Sequence, residues 1–151
     1  RGSAPPEEGF FSVLLDPVSV IESLDQYANH GDLINAMKLF ADDAVLKIEP
    51  EPPPPLRSEY HGRQEIEEFE RELLQGRLRV ESTGLDVAGN EVTWRSRLWA
   101  DDFRRMGIEP AEAVAHAVLW GALIKQMELK FSPQTAQKMQ AAKAAQQQPH
   151  R

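Results

Sequence analysis

A helix that stops, restarts and runs into a strand most constrains this fold, and it occupies residues 27–46, YANHGDLINAMKLFADDAVL. Gly31 is placed to end one helical pattern, and Asp32 is placed to cap the next. The second pattern passes an acidic pair, Asp42-Asp43, and enters an apolar strand. We interpret the acidic pair as a turn and cap between helix and strand rather than as a catalytic pair. This order of elements predicts a domain that combines helices with a sheet.

Three helices are predicted in the first half of the chain. The first begins at Asp16-Pro17, an N-cap acceptor followed by proline at the first helical position. Each helix carries an apolar stripe at helical spacing. The third helix also carries five glutamates, which we interpret as a solvated face. The stripes are Val20, Ile21, Leu24, Tyr27 and Ala28; Leu33, Ala36, Met37 and Phe40; and Ile66, Phe69 and Leu73; the glutamates are Glu65, Glu67, Glu68, Glu70 and Glu72.

The second half of the chain reads mainly as strands. After a first strand at 44–48 and a proline-rich loop at 50–55, strands are predicted at 78–87, 91–101, 111–119 and 123–131. The alanine-rich segment 111–119 also has helical propensity. A hairpin across Gly121 requires that segment to be a strand, so the strand is preferred. One face of strand 91–101 holds Val92, Trp94, Ser96, Leu98 and Ala100, and the other holds Thr93, Arg95, Arg97, Trp99 and Asp101.

The element order predicts an α+β domain in which helices cover one face of a curved antiparallel sheet. A bent sheet closed by helices leaves a concave pocket, which is a common ligand site. We assign the domain to residues 16–132, a flexible N-terminal arm with a tag remnant to 1–15, and a C-terminal helix and disordered tail to 133–151.

Composition excludes several classes of function. The chain has 151 residues, a net charge of −7 and no cysteine, so thiol nucleophiles and thiolate metal sites are absent. The negative charge argues against nucleic-acid binding, and no apolar run approaches the roughly 20 residues of a membrane span. No glycine-rich phosphate loop appears, and the four histidines have no metal-ligand spacing. We therefore expect no cofactor, no metal, no nucleic-acid or membrane partner, and a cytoplasmic location.

Two segments, HGDLINAMKLFADDAVLKIEP and YHGRQEIEEFERELL, resemble the opening half of the NTF2-like superfamily, and of its SnoaL-like domains in particular. The shared motifs are the helix restart at Gly31-Asp32-Leu33, the run 39–44, and Gly62-Arg63 followed by Ile66. The resemblance covers residues 17–131. It implies a cone-shaped curved antiparallel sheet with the N-terminal helices packed on its concave face. It also implies a pocket inside the cone and frequent homodimers through the outer sheet face.

The superfamily includes ketosteroid isomerases, epoxide hydrolases, cyclases, dehydratases and binding modules. Aligned on the shared motifs, this chain has Leu24 where a similar isomerase carries its oxyanion-hole tyrosine and Ile48 where it carries its general base. Glu49 is one residue out of phase, so its side chain points to the other face of the strand. The resemblance therefore implies that the chain is not an isomerase, because that mechanism needs a base and an oxyanion hole.

His116 is the most interesting single residue, since imidazole titrates near neutral pH and can act as an acid or a base. A half-buried or interface histidine is the alternative. The candidate catalytic residues are His116, Asp101 and Glu49. The candidate ligand-binding residues, which plain core packing would also explain for the apolar members, are Tyr27, Ile48, Tyr60, Trp94, Leu98 and His116.

Three functions follow from these assignments. The leading prediction is that the domain binds a small, mostly apolar molecule in its cone. The first alternative is a hydrolase, cyclase or dehydratase that uses His116 and an acid. The second alternative is a non-catalytic dimeric interaction module.

Overall fold

A computed structural model describes residues 16–147, which form five helices and six strands. The elements are α1 (Pro17–Asn29), α2 (Leu33–Met37), β1 (Phe40–Glu49), β2 (Glu59–His61), α3 (Arg63–Gln75), β3 (Arg79–Ala88), β4 (Glu91–Trp99), α4 (Asp101–Arg105), β5 (Ala111–Trp120), β6 (Leu123–Phe131) and α5 (Pro133–Gln147). The predicted N-terminal arm and residues 148–151 of the predicted tail lie outside the described residues.

The boundaries of the helical hairpin are set by capping residues that lie next to each helix in the sequence. The Asp16 carboxylate accepts a hydrogen bond from the Ser19 backbone N–H at 2.8 Å, which caps the start of α1. Gly31 has a φ of +69°, which a residue with a side chain rarely adopts, and it reverses the chain after α1. The Asp32 carboxylate then caps α2 through the Asn35 N–H at 3.1 Å. These caps confirm the predicted stop and restart.

The six strands form one curved sheet in the order β2-β1-β6-β5-β4-β3. Neighbouring strands are antiparallel except β1 and β6, which run parallel, with Leu46 beside Met127 and Ile48 beside Leu129. The α+β class is confirmed, whereas the predicted all-antiparallel sheet is in fact mixed. The parallel pair arises because β1 has β2, its neighbour in sequence, on one side and the last strand of the chain, β6, on the other.

Helices α1 and α3 cover the concave face of the sheet, and the core lies between them and the strands. The buried stripe of α1 contains Val20, Ile21 and Leu24, and that of α3 contains Ile66 and Leu73. From the sheet, the core receives alternate residues of β4, β5 and β6. These strand residues are Val92, Trp94, Ser96, Leu98, Ala111, Ala113, Ala115, Ala117, Leu119, Ile124, Met127, Leu129 and Phe131.

Three local details differ from the sequence prediction. Phe40, assigned to the stripe of the second helix, begins β1. The short strand β2 was missed, and Asp42-Asp43 lies within β1 instead of a turn. Both aspartates are exposed, where Asp42 pairs with Arg63 and Asp43 with Lys125, and the β1–β6 register shifts beside them. A bulge of this kind lets a strand continue through two successive outward side chains.

One side-chain clamp fastens α1 to the edge strand β3. The Asn29 side-chain amide donates to the Val80 carbonyl at 2.9 Å, and its oxygen accepts from the Val80 N–H at 2.7 Å. The side chain thereby completes hydrogen bonds that an edge strand would otherwise make only with water. This clamp sets the spacing between α1 and β3.

We expect Asn29→Ala to lower the free energy of unfolding by about 1–2 kcal/mol, because two hydrogen bonds are lost at once. Urea unfolding followed by circular dichroism measures the change. Gln26→Ala, an exposed position in the same helix, serves as the control and should leave the midpoint nearly unchanged. An equal midpoint for Asn29→Ala and the control would show that the clamp does not hold β3.

Candidate functional site

A small cavity lies on the concave face of the sheet, between α1, α3 and strands β3, β4 and β6. We call it the central cavity; its volume is about 50 Å³. Its walls are mainly apolar, and three polar side chains, Asp25, Glu70 and Ser96, also line it. Among the described residues, no lysine, arginine or histidine lines it. The apolar walls include Leu24, Ala28, Phe69, Leu73, Trp94 and Leu98.

Glu70 is a buried carboxyl group, with only 8% of the residue exposed. It lies on α3 between Ile66 and Leu73, so helical spacing turns it onto the apolar face of the helix. No hydrogen bond or salt bridge to another residue within 16–147 satisfies its side chain. Burial, followed by the negative charge of Asp25, raises the pKa of Glu70 from 4.5 to about 7.

Asp25 faces the same cavity from α1. Burial raises the pKa of its carboxyl group from 3.8 to about 6, and the charge of Glu22 adds to this rise. The nearby Ser82 hydroxyl acts in the opposite direction and lowers the pKa of Asp25. Ser82 Oγ nevertheless has no hydrogen bond of regular geometry, although the atom is buried. Asp25 is therefore a partly buried acid without a full set of partners.

Ser96 contributes a hydroxyl group to the central cavity from β4, directly across the ladder from Ser82. Only 4% of Ser96 is exposed. Within residues 16–147, no side-chain hydrogen bond engages its hydroxyl. The cavity thus combines two carboxyl groups and a hydroxyl group in an apolar surrounding. Such an arrangement can hold or transfer a proton near neutral pH, and it can bind a group that donates hydrogen bonds.

Trp94 and Leu98, two of the predicted pocket residues, lie in the wall of the central cavity. Tyr27, Ile48 and Tyr60 do not line it. Ile48 and Tyr60 are buried in the core, with 2% of each residue exposed, and Tyr27 packs partly buried against it. Tyr60 contacts Phe69, a cavity residue, with ring centroids 5.2 Å apart. Contact of any of these residues with a ligand stays a prediction.

His116 lies on the opposite side of the sheet from the central cavity. It is the ladder partner of the exposed Thr93, whereas Trp94 pairs with the buried Ala115. Its Nε2 atom lies 2.8 Å from Glu91 Oε1. The prediction that His116 shares a pocket with Trp94 is therefore wrong, because alternate residues of a strand point to opposite faces. Glu112, four residues earlier on the same face, was the sequence signal for this parity.

The structure does not bring Asp101 or Glu49 to His116 or to the central cavity. Asp101 begins α4, where Arg77 and Arg104 bind its Oδ1 atom at 2.9 Å and 2.7 Å and lower its pKa to about 2. A carboxyl group held ionised in this way is a poor proton donor near neutral pH. Glu49 is exposed at the end of β1. The three predicted catalytic residues consequently do not form one site.

No group of three or more potential metal ligands occurs among residues 16–147. Within the same range, no helix has the length and apolar character that a membrane crossing needs.

Sequence reasoning missed both carboxyl groups of the central cavity. Glu70 was assigned to the solvated face of the third helix, and Asp25 was not considered. Their positions contained the signal, since Asp25 is four residues after Ile21 and three before Ala28, and Glu70 is four after Ile66 and three before Leu73. An acidic residue at a stripe position of an amphipathic helix predicts a buried carboxyl group.

Replacing Glu70 with glutamine should stabilise the protein in a pH-dependent way. Because the folded state holds the Glu70 proton more tightly than the unfolded state, stability falls as the pH rises from 4.5 to about 7 and then levels off. We expect Glu70→Gln to raise the free energy of unfolding by about 1–3 kcal/mol at pH 8 and to change it little at pH 4.5. Urea unfolding at the two pH values provides the measurement.

Glu68→Gln is the matched control, since Glu68 is an exposed glutamate of the same helix. Its effect should be small at both pH values. A Glu70→Gln effect of the same size at pH 4.5 and pH 8 would contradict a raised pKa for Glu70.

Comparison by sequence finds no relatives: no protein-family model matches the chain, and no curated protein is similar to it.

Comparison by structure finds many similar folds. An NTF2-like protein of unknown function from Cytophaga hutchinsonii has a TM-score of 0.64 at 10% identity, covering 80% of this chain and 93% of its own. Bal32a, from a soil-derived mobile gene cassette, has a TM-score of 0.68 at 12% sequence identity, and the match covers 81% of this chain and 93% of Bal32a. SalBIII is an epoxide hydrolase/cyclase-like enzyme with a role in pyran ring formation in the polyether salinomycin. It has a TM-score of 0.64 at 15% sequence identity, and the match covers 79% of this chain and 92% of SalBIII. The chain therefore has the fold of the NTF2-like superfamily.

Proposed function

We propose that this domain binds a small, mostly apolar molecule in the central cavity. The observation that carries the proposal is the lining of the cavity, in which apolar side chains from two helices and three strands surround a few polar groups. Binding sites for small molecules have this composition. The similarity to SalBIII, an enzyme with a role in pyran ring formation, agrees with a cavity that receives a small molecule.

The size of the cavity limits what can enter without movement. Its volume of about 50 Å³ is well below the roughly 300–1,000 Å³ of typical ligand pockets. A ligand with a ring must therefore select a state in which α1 and α3 stand farther from the sheet. The Asn29 clamp on β3 is one contact that opposes such opening.

The enzyme alternative built on His116 gains no support, because His116, Asp101 and Glu49 lie apart. The absence of nucleic-acid binding stays a prediction, and three arginines of the second half of the chain pair with carboxylates. Arg97 lies near Glu81 and Glu112, Arg104 pairs with Asp101, and Arg105 pairs with Asp102. These carboxylates reduce the positive potential that a phosphate backbone would need.

Filling the cavity should prevent binding. Ala28 lines the cavity and only 4% of it is exposed, so Ala28→Leu adds three carbon atoms at the wall. We expect benzyl alcohol to shift the indole N–H resonance of Trp94 saturably in the parent protein, and Ala28→Leu to weaken this binding by about tenfold or more. Nuclear magnetic resonance titration measures both affinities.

Ala141→Leu is the control, because it makes the same change at an exposed position of α5. Urea unfolding of all three proteins establishes that each is folded. The proposal fails if Ala28→Leu binds benzyl alcohol as well as Ala141→Leu does. It also fails if benzyl alcohol and its ionic analogues benzylamine and benzoate all give no saturable shift in the parent protein.

We also propose that the outer sheet face, defined here by Val114, His116, Trp120 and Leu123, pairs with a second copy of this chain. Val114, Trp120 and Leu123 are exposed apolar residues, and Trp120 is 66% exposed. Charges of both signs surround them, including Glu91 beside His116 and Lys125 beside Trp120. A two-fold axis could set these opposite charges against one another.

Trp120→Glu should lower the mass measured by sedimentation from that of a dimer to that of a monomer, because it places a charge in an apolar contact. Ile34→Glu, at another exposed apolar residue on α2, is the control and should leave the mass unchanged. A monomeric parent protein, or a dimer that survives Trp120→Glu, would contradict this assignment of the dimer face.

A further inference from the structure

Two acids, the buried Glu70 and the half-buried Asp25, line the central cavity, and no basic side chain among residues 16–147 pairs with either. We infer that the natural ligand of this cavity is an organic cation, a small primary amine with an apolar body, whose ammonium group binds between Asp25, Glu70 and Ser96. This inference rests on the proposed function and specifies the chemical class of its ligand. The polar end of the ligand would bind side chains that are not needed to form the fold of the domain.

The charges around Glu70 favour a cation. Burial raises the pKa values of both acids, the charge of Asp25 raises that of Glu70 further, and the charge of Glu22 raises that of Asp25 further. From the sheet, the neighbouring polar groups are the Ser82 and Ser96 hydroxyls. Within residues 16–147, no cationic side chain forms a salt bridge with either acid. A buried carboxylate without a counter-ion is unfavourable, and an ammonium group from a ligand would supply the missing charge.

The hydroxyl groups provide a second, separate reason. Ser96 lines the cavity, and only 4% of the residue is exposed. Its hydroxyl nevertheless forms no side-chain hydrogen bond with another described residue. Ser82 Oγ is buried near Asp25 and makes no hydrogen bond of regular geometry within the described residues. A primary ammonium group has three N–H donors and no acceptor. Asp25, Glu70 and Ser96 offer three acceptors for those donors.

The wall of the cavity distinguishes an organic cation from a metal ion. Calcium takes six to eight oxygen ligands, and magnesium keeps several waters around it. The described residues place only two carboxyl groups and a hydroxyl here, among leucine, phenylalanine and tryptophan side chains. Such walls suit the carbon atoms of an amine, whereas they offer no further oxygen ligands to a metal ion.

Three probes with the same apolar body and different polar groups test the inference: benzylamine, benzyl alcohol and benzoate. Titrations of the full chain at pH 8, followed at the Trp94 indole N–H and at the side-chain carboxyl carbon of Glu70, measure each affinity. We expect benzylamine to bind about tenfold or more tightly than benzyl alcohol, and benzoate to bind most weakly, because opposite charge attracts and like charge repels at short range.

The pH dependence gives a readout that simple filling of the cavity would not produce. Glu70 must ionise to pair with the ammonium group, and an amine stays protonated across this range, as lysine does. Affinity for benzylamine should therefore rise by about tenfold between pH 6 and pH 8, whereas affinity for benzyl alcohol should change little. Bound benzylamine should also lower the pKa of Glu70.

Variants separate the charge from the shape of the site. Glu70→Gln keeps the size of the side chain and should abolish the preference for benzylamine over benzyl alcohol, while Glu68→Gln on the exposed side of α3 should retain it. Asp25→Asn should reduce the preference.

The outcomes distinguish the two proposals. Benzyl alcohol binding as tightly as benzylamine, or a preference that survives Glu70→Gln, would overturn the amine inference and leave the proposed function standing. Failure of all three probes to bind would overturn both. Benzylamine binding that is selective, pH-dependent and lost in Glu70→Gln is the result expected if the amine inference is correct.

Discussion

The parallel pairing of β1 with β6 is the contact on which the rest of the structure depends. It joins the first strand of the chain to the last one, so the helices that precede and follow β1 are carried across the sheet built by the second half. Its register sets Leu46 beside Met127 and Ile48 beside Leu129. All four of these side chains are buried, so the sheet offers a continuous apolar face to α1 and α3. The central cavity exists because the curved sheet and these two helices do not fill the space between them.

The acids of the central cavity oppose the stability of the domain. An amphipathic helix gains free energy when its stripe is apolar, and Asp25 and Glu70 replace an apolar residue in the stripes of α1 and α3. Ionising these two carboxyl groups is less favourable in the folded state than in the unfolded state, and their raised pKa values reflect this. Local rules of folding are most often broken where a protein binds or reacts. The carboxyl pair is therefore a better indicator of function than the apolar walls, which a simple core would also possess.

The interpretation of individual residues shows where sequence reasoning succeeded. Asp16, Gly31 and Asp32 identified the helix boundaries because capping is local and each residue acts on its own chain neighbours. The alternation of β4 placed Trp94 and Leu98 inward because a run of bulky apolar residues on one face has only one favourable orientation. For β5, the preference for a strand over a helix was correct, but His116, included among the candidate pocket residues, faces away from the pocket. Its small alanine neighbours gave a weak apolar contrast, and Glu112 was not used to fix the parity.

By itself, the sequence determined the order and type of most elements, the helix caps and the α+β class, because those depend on side-chain periodicity and on neighbours within a few residues. Only the tertiary structure decided that β1 pairs in parallel with β6, that His116 faces away from the cavity, and that Asp25 and Glu70 face the same one. The two acids are 45 positions apart in the sequence, on helices separated by α2, β1 and β2. No local sequence pattern predicts that the stripes of α1 and α3 face one another. Their shared position in the central cavity, and the raised pKa values that follow from it, arise from packing on the common sheet.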